Sequence, residues 1–181
     1  MLSYIESNYG RIDVLVLNAG VSGHKGTQLD MEEEIFDLTF SVNVKANFFF
    51  TKEALELLKK ATDGANVLIT SSLSGVYGAK ILGVYAMSKA SVISMAKWLS
   101  VELMDHSIRV NTIAPGFTRT NMVGPELELF EKFFPPKALA HPHEVAAVAA
   151  MICAPKDGRF VNGETFVLSG GYTSPKLKFK L

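Results

Sequence analysis

RIDVLVLNAG, residues 11–20, is the stretch on which the fold turns. Between Ile12 and Leu17 only Asp13 is polar, and the run ends at Asn18-Ala19-Gly20, a turn signal. An apolar run of this length, bounded by turn residues, predicts a strand of the parallel-sheet kind, buried on both faces. Such a strand wants a neighbour on each side and helices above and below. Only ten residues precede it, whereas a strand–helix–strand unit takes about 30 residues.

Downstream the pattern alternates. Asp30 stands before MEEEIF with Glu33 three residues on, the spacing of an N-cap and capping box. Apolar residues at Ile35, Leu38, Val42 and Phe49 continue at helical spacing to about Lys60, predicting one long amphipathic helix. After the Asp63-Gly64 turn, Asn66 to Ser71 reads as a second buried strand. Residues 85–104 form a helix with Val92, Ala96, Leu99 and Leu103 in one stripe. Ile108 to Ala114 is a third strand, stopped by Pro115-Gly116. A helix over His143 to Ala154 starts just after Pro142, which suits a first helical position, and Glu164 to Leu168 is a last strand. Strands alternating with long helices predict a doubly wound α/β fold with a parallel sheet of about four strands. The chain reads as one domain over residues 1–181, with 172–181 a short C-terminal tail.

Composition narrows the function. Lysine plus arginine equals aspartate plus glutamate at 18 each, so no net field favours nucleic acid and no basic run suggests a membrane surface. No segment approaches the roughly 18 uninterrupted apolar residues of a membrane helix, and the first ten residues do not read as a signal peptide. Cys153 is the sole cysteine; in an apolar stretch it reads as a packed thiol suited to a reducing compartment. Cytoplasm or an organelle matrix is expected. Phe179-Lys180-Leu181 shares two letters with the peroxisomal S-K-L address but lacks its small first residue.

Ligands of an open parallel sheet bind beyond the carboxyl ends of its strands. The residues there are Asn18-Ala19-Gly20, Ser71-Ser72, Pro115-Gly116-Phe117-Thr118 and Ser169-Gly170. Turn chemistry alone explains any one of these sets. The start of the second long helix adds Tyr85 and Lys89, one turn apart on one face. A nearby ammonium favours a phenolate, so the pair is a candidate general acid/base. Tyr and Lys at this spacing are also common on solvated faces. The four histidines are scattered, and HPH at 141–143 lacks metal-ligand spacing and opens a helix. Phe48, Phe49, Phe50 and Trp98 read as core.

In register, these fragments resemble the short-chain dehydrogenases/reductases. YAMSK at 85–89 resembles the YxxxK signature, and Ser72, thirteen residues earlier, matches the position of the family's catalytic serine. NAG at 18–20 resembles the NNAG motif with Leu17 replacing its first Asn, and Asn43 matches the helix asparagine. PGFTRTN at 115–121 resembles PGxxxT, and Asn162-Gly163 with Ser169-Gly170-Gly171 resembles the closing strand, with Ser169 where Asp is usual. The closest flavour is carbonyl-reductase-like.

The resemblance implies a Rossmann-like oxidoreductase passing a hydride between NAD or NADP and a carbonyl or secondary alcohol. Tyr85 would be the acid/base, Lys89 would lower its pKa and bond the nicotinamide ribose, and Ser72 would orient the carbonyl. Asn43, a poor helix former in mid-helix, would hold a water linking Lys89 to solvent. Asn18, Ala19, Gly20, Pro115, Gly116, Thr118 and Thr120 would line the cofactor. Family members commonly pair through the long helices, so 31–60 and 85–104 are candidate homo-oligomer faces. The segment 121–142, with Leu127, Leu129, Phe130, Phe133 and Phe134, implies an apolar substrate or a lid.

The family's TGxxxGxG turn, whose amides face the pyrophosphate, has no counterpart here, nor does the residue that separates NAD from NADP. What is present resembles the family's fourth strand onward, so dinucleotide binding by this chain is expected to be weak. The alternative is a catalytically silent short form acting as a structural or assembly subunit, with its apolar edge covered by another chain.

Overall fold

The apolar VLVL segment forms β1 (Val14–Leu17), as expected, but it is shorter than the run that predicts it. In this computed structural model residues 1–23, 28–78, 82–123 and 139–171 are described. Helix α1 (Leu2–Tyr9) precedes β1 and ends on Gly10 in the left-handed conformation. Then come a 3-10 turn (Gln28–Asp30), α2 (Glu33–Phe40), a π-helical turn (Ser41–Lys45) and α3 (Ala46–Leu58). β2 (Ala65–Thr70), the one-turn α4 (Leu73–Val76), α5 (Gly83–Glu102), a 3-10 turn (Met104–His106), β3 (Ile108–Pro115), α6 (Pro142–Cys153) and β4 (Thr165–Leu168) complete the described chain.

The four strands form one parallel sheet in the order β1-β2-β3-β4. The register pairs Val14 with Asn66, Asn66 with Arg109 and Thr112 with Thr165. One face, carrying Leu17, Val67, Ile69, Ile108 and Val110, packs against Ala54 to Leu58 of α3 and Val92, Ala96 and Leu99 of α5. The α5 stripe predicted from its spacing is buried throughout. The opposite face carries Leu68 and Ile113, which pack under Ile152 of α6.

β1 is not buried on both faces. Val14 is 43% and Val16 52% exposed, because among the described residues α6 covers the β2–β4 part of that face and β2 alone pairs with β1. The long helix expected from 31 to 60 runs without a break from Glu33 to Leu58, with a π turn at Ser41–Lys45 that shifts its hydrogen-bond register. Its N-cap is Glu32 with no side-chain bond, and Asp30 lies in the preceding 3-10 turn, so the expected capping box is absent. The capping bond appears instead at α6, where the His141 N–H donates to Glu144 Oε2 at 2.7 Å and Pro142 occupies the first turn.

The aromatics expected in the core are largely at the surface. Phe49, Phe50 and Trp98 are 44%, 40% and 50% exposed, and Phe48 stacks on Trp98 with ring centroids 6.2 Å apart. Their helices already meet the sheet through Ala54, Leu57, Leu58, Ala96 and Leu99. The aromatics project from the other sides. The apolar segment centred on Phe130, and the C-terminal tail, lie outside the described residues.

Candidate active site

Because all four strands are parallel, their carboxyl ends and the segments that follow share one edge of the sheet. β2 ends at Thr70, whose hydroxyl donates to Asn18 Oδ1 at 2.9 Å, tying the ends of β1 and β2 together. Beyond it, Ser71 Oγ donates to the Lys89 carbonyl at 2.7 Å. Ser72 caps α4, its hydroxyl accepting the Ser74 N–H at 3.2 Å. A Cβ on Gly75 would lie 2.6 Å from the Lys89 carbonyl carbon and 2.8 Å from the Ala90 nitrogen. Only glycine lets α4 approach α5 this closely.

That approach brings Ser72 to Tyr85. Burial raises the Tyr85 phenol above its usual pKa, and the hydrogen bond with Ser72 pulls in the opposite direction. Lys89 is 2% exposed, and burial lowers its ammonium to about 8 because a charge in apolar surroundings is disfavoured. Its Nζ donates to the Thr70 carbonyl at 2.8 Å and lies 5.7 Å from the Tyr85 ring centroid. The opposing pull on Tyr85 thus comes from Ser72, where the sequence alone points to Lys89.

Asn43 enters this cluster from the π turn and is fully buried. Its Oδ1 accepts the Val21 N–H, and its Nδ2 donates to the Val21 carbonyl and to Ser88 Oγ, all at 2.9 Å. Both amide protons are therefore committed to protein groups. Its side-chain partners are the post-β1 chain and α5. Ser88 Oγ in turn donates to the Tyr85 carbonyl at 2.7 Å. A Cβ on Gly20 would sit 3.2 Å from both Asn43 Oδ1 and Lys89 Nζ. Gly20, Asn43 and Lys89 thus converge at one point.

The remaining sequence candidates are more loosely placed. Asn18 and Ala19 are exposed beside this point. Pro115 ends β3, and the Gly116 N–H donates to the Leu168 carbonyl at 2.8 Å, joining the ends of β3 and β4. Thr118 turns its hydroxyl back to the Gly116 carbonyl at 3.2 Å and bridges to Ala140. Thr120 is exposed and makes no side-chain hydrogen bond among the described residues. Sequence reasoning missed Thr70 and Ser88. Ser88 is three residues after Tyr85 on one helix face, a signal that was available; Thr70 acts through its carbonyl, which no side-chain pattern announces. Among the described residues no group of three metal-ligating side chains occurs, and no helix is long and apolar enough to cross a membrane.

A family model described as enoyl-(acyl carrier protein) reductase matches residues 1–173. The chain belongs to the short-chain dehydrogenase/reductase family. The dehydrogenase/reductase SDR family member 4 of Sus scrofa is 34% identical over 172 residues, covering 92% of this chain and 61% of that protein. Oxidoreductase UcpA of Salmonella typhimurium is 37% identical over 179 residues, covering 92% and 67%. A short-chain type dehydrogenase/reductase from Mycobacterium marinum superposes with a TM-score of 0.86 at 30% identity, over 96% of this chain and 70% of that one. A 3-ketoacyl-(acyl-carrier-protein) reductase from Brucella melitensis, solved with NADH, gives 0.85 at 26% identity, over 94% and 71%. This short-chain dehydrogenase/reductase therefore spans about three-fifths of the first of these relatives.

Proposed function

We propose that residues 1–181 form one domain, the catalytic half of a reductase acting on a carbonyl or secondary alcohol, with Tyr85 as the acid/base. The observation that carries this reading is the convergence of Ser72, Tyr85 and Lys89 on one edge of the sheet. A Cβ at position 20 would crowd Lys89 Nζ at 3.2 Å, so glycine there would leave the ammonium open to the nicotinamide ribose of NAD or NADP. Asn18, Ala19, Pro115, Gly116, Thr118 and Thr120 would line the same end. The bound nicotinamide would supply or accept the hydride.

The chain's own groups do the rest. Ser72 Oγ orients the substrate oxygen and stabilises charge developing there. The Tyr85 hydroxyl gives that oxygen a proton in reduction and takes it back in oxidation. Lys89, held by the Thr70 carbonyl, places positive charge next to the phenol and bonds the ribose. Asn43 fixes the post-β1 chain against α5. Burial of Tyr85 excludes water from the transfer.

The family's glycine-rich pyrophosphate turn is not among the described residues, and the reading includes weak NAD(P)H binding by residues 1–181 taken alone. The substrate is a small apolar molecule, and the compartment is cytoplasm or an organelle matrix. Exposed Phe49, Phe50 and Trp98 support α3 and α5 as the homo-oligomer face. A second reading, a silent assembly subunit, draws on the open β1 edge with exposed Val14 and Val16. Titration with NADH and NADPH, followed by an assay on carbonyl substrates, separates the two. Turnover that falls by about 10²–10⁴ in Tyr85→Phe supports the reductase. Undiminished turnover in that variant, or none in the parent under saturating cofactor, sinks it.

A further inference from the structure

Helix α5 starts without a cap of its own, since Leu82 at its N-cap position makes no side-chain bond. The first backbone N–H groups of a helix must find partners outside it. For α5 one partner comes from 56 residues earlier in the chain: Gln28 Oε1 accepts the Val84 N–H at 3.2 Å. Gln28 opens the 3-10 turn that leads toward α2. The fit between the two segments is close, because a Cβ on Gly83 would lie 3.3 Å from Gln28 Cγ and 3.5 Å from its Cβ. The helix therefore has a glycine just where the Gln28 stem crosses it.

Val84 immediately precedes Tyr85. The first turn of a helix frays most readily, yet this one carries the phenol that must meet Ser72 on another element. We propose that Gln28 is a positioning residue for Tyr85: it caps the first turn of α5 and holds the phenol in register with Ser72. The proposal rests on the reading of Tyr85 as acid/base. It ties the β1–α2 connection, which also carries Gly20, to the helix that bears Tyr85 and Lys89.

The test compares the parent chain with Gln28→Met, of equal length but without an acceptor, and Gln28→Glu, which keeps the acceptor and adds charge. Folding of each is checked by circular dichroism. Amide hydrogen exchange at Val84, read by NMR, should speed up at least about fivefold in Gln28→Met and stay near the parent value in Gln28→Glu. The ionisation of Tyr85 is then followed by ultraviolet difference titration of each chain against its Tyr85→Phe counterpart. The carboxylate introduced by Gln28→Glu should raise the Tyr85 midpoint by about 0.3 pH unit or more at low salt, less so in 1 M salt. In Gln28→Met, which adds no charge, a phenol that slips out of register with Ser72 should also show a raised midpoint, whereas a contact that merely stabilises the helix leaves it unmoved. Equal Val84 exchange in all three chains, or an unchanged Tyr85 midpoint in Gln28→Met, overturns the proposal. Turnover undiminished by Tyr85→Phe would instead remove the acid/base reading while exchange still reports the cap, so the two failures are distinguishable.

Discussion

Lys89 Nζ donates to the Thr70 carbonyl at 2.8 Å, so a buried ammonium on α5 is held by the last residue of β2. That tether fixes Lys89 at the carboxyl edge of the sheet, and it places a charge where charge is costly.

The cost is readable as a pH dependence. The folded-state pKa of Lys89 is lowered from 10.5 to about 8, so between these values the unfolded chain binds the additional proton. Stability from this group therefore rises with pH from about 8 to 10.5 and is lowest below 8. At roughly 1.4 kcal/mol per pH unit the effect is at most a few kcal/mol. Lys89→Met should lose this dependence. Urea unfolding at pH 7 and pH 10 should find the variant gaining relative to the parent at pH 7 and losing that advantage at pH 10; a difference independent of pH would refute the assignment.

Asn43 should matter first for stability. Asn43→Ala removes three hydrogen bonds and strands the Val21 N–H and carbonyl in a partly buried site. The expected destabilisation is about 2–4 kcal/mol, measured by chemical denaturation. A loss below about 0.5 kcal/mol would mean that water replaces the side chain without penalty.

The contact between α4 and α5 offers a sharper probe. Gly75→Ala sets a Cβ against backbone atoms of Lys89 and Ala90 that no rotamer change can move. Roughly 1–3 kcal/mol of stability should be lost, and turnover should drop with it as Ser72 retreats from Tyr85. Gly78→Ala, where a Cβ meets nothing within 4 Å, is the matched control. Equal behaviour of the two variants would show that α4 can shift freely.

The exposed aromatics predict an assembly. Trp98→Glu places a charge beside Phe48, with exposed Phe49 and Phe50 on the same helix as that phenylalanine. Light scattering coupled to size exclusion should show the parent as an oligomer and the variant shifted to smaller species. A monomeric parent would leave these side chains without the proposed role.

Much of the candidate site was legible in the sequence because its residues sit at fixed offsets within single elements. Tyr85 and Lys89 share a helical face, and the strand-end residues share an edge wherever strands are parallel. The π turn was not legible, since Ser41 to Lys45 keeps the apolar spacing of an ordinary helix and only the backbone bonding changes. Nor was the exposure of Val14 and Val16, because an apolar run specifies that a strand can be buried and not what lies over it. The direction of the Tyr85 shift is hidden for a related reason. Burial, which sequence does not reveal, outweighs the opposing hydrogen bond.

The strand order β1-β2-β3-β4 is also the order of the chain. Each strand can dock on the edge completed just before it, so the sheet can grow outward during synthesis without waiting for a later segment to fill a gap. Domains fold while they are being made, and here the ribosome would release β2 onto a waiting β1, then β3 onto β2. Helix α5 packs against Ile108 and Val110 of β3, so Tyr85 and Lys89 would settle beside Ser72 and Thr70 only once the third strand had docked.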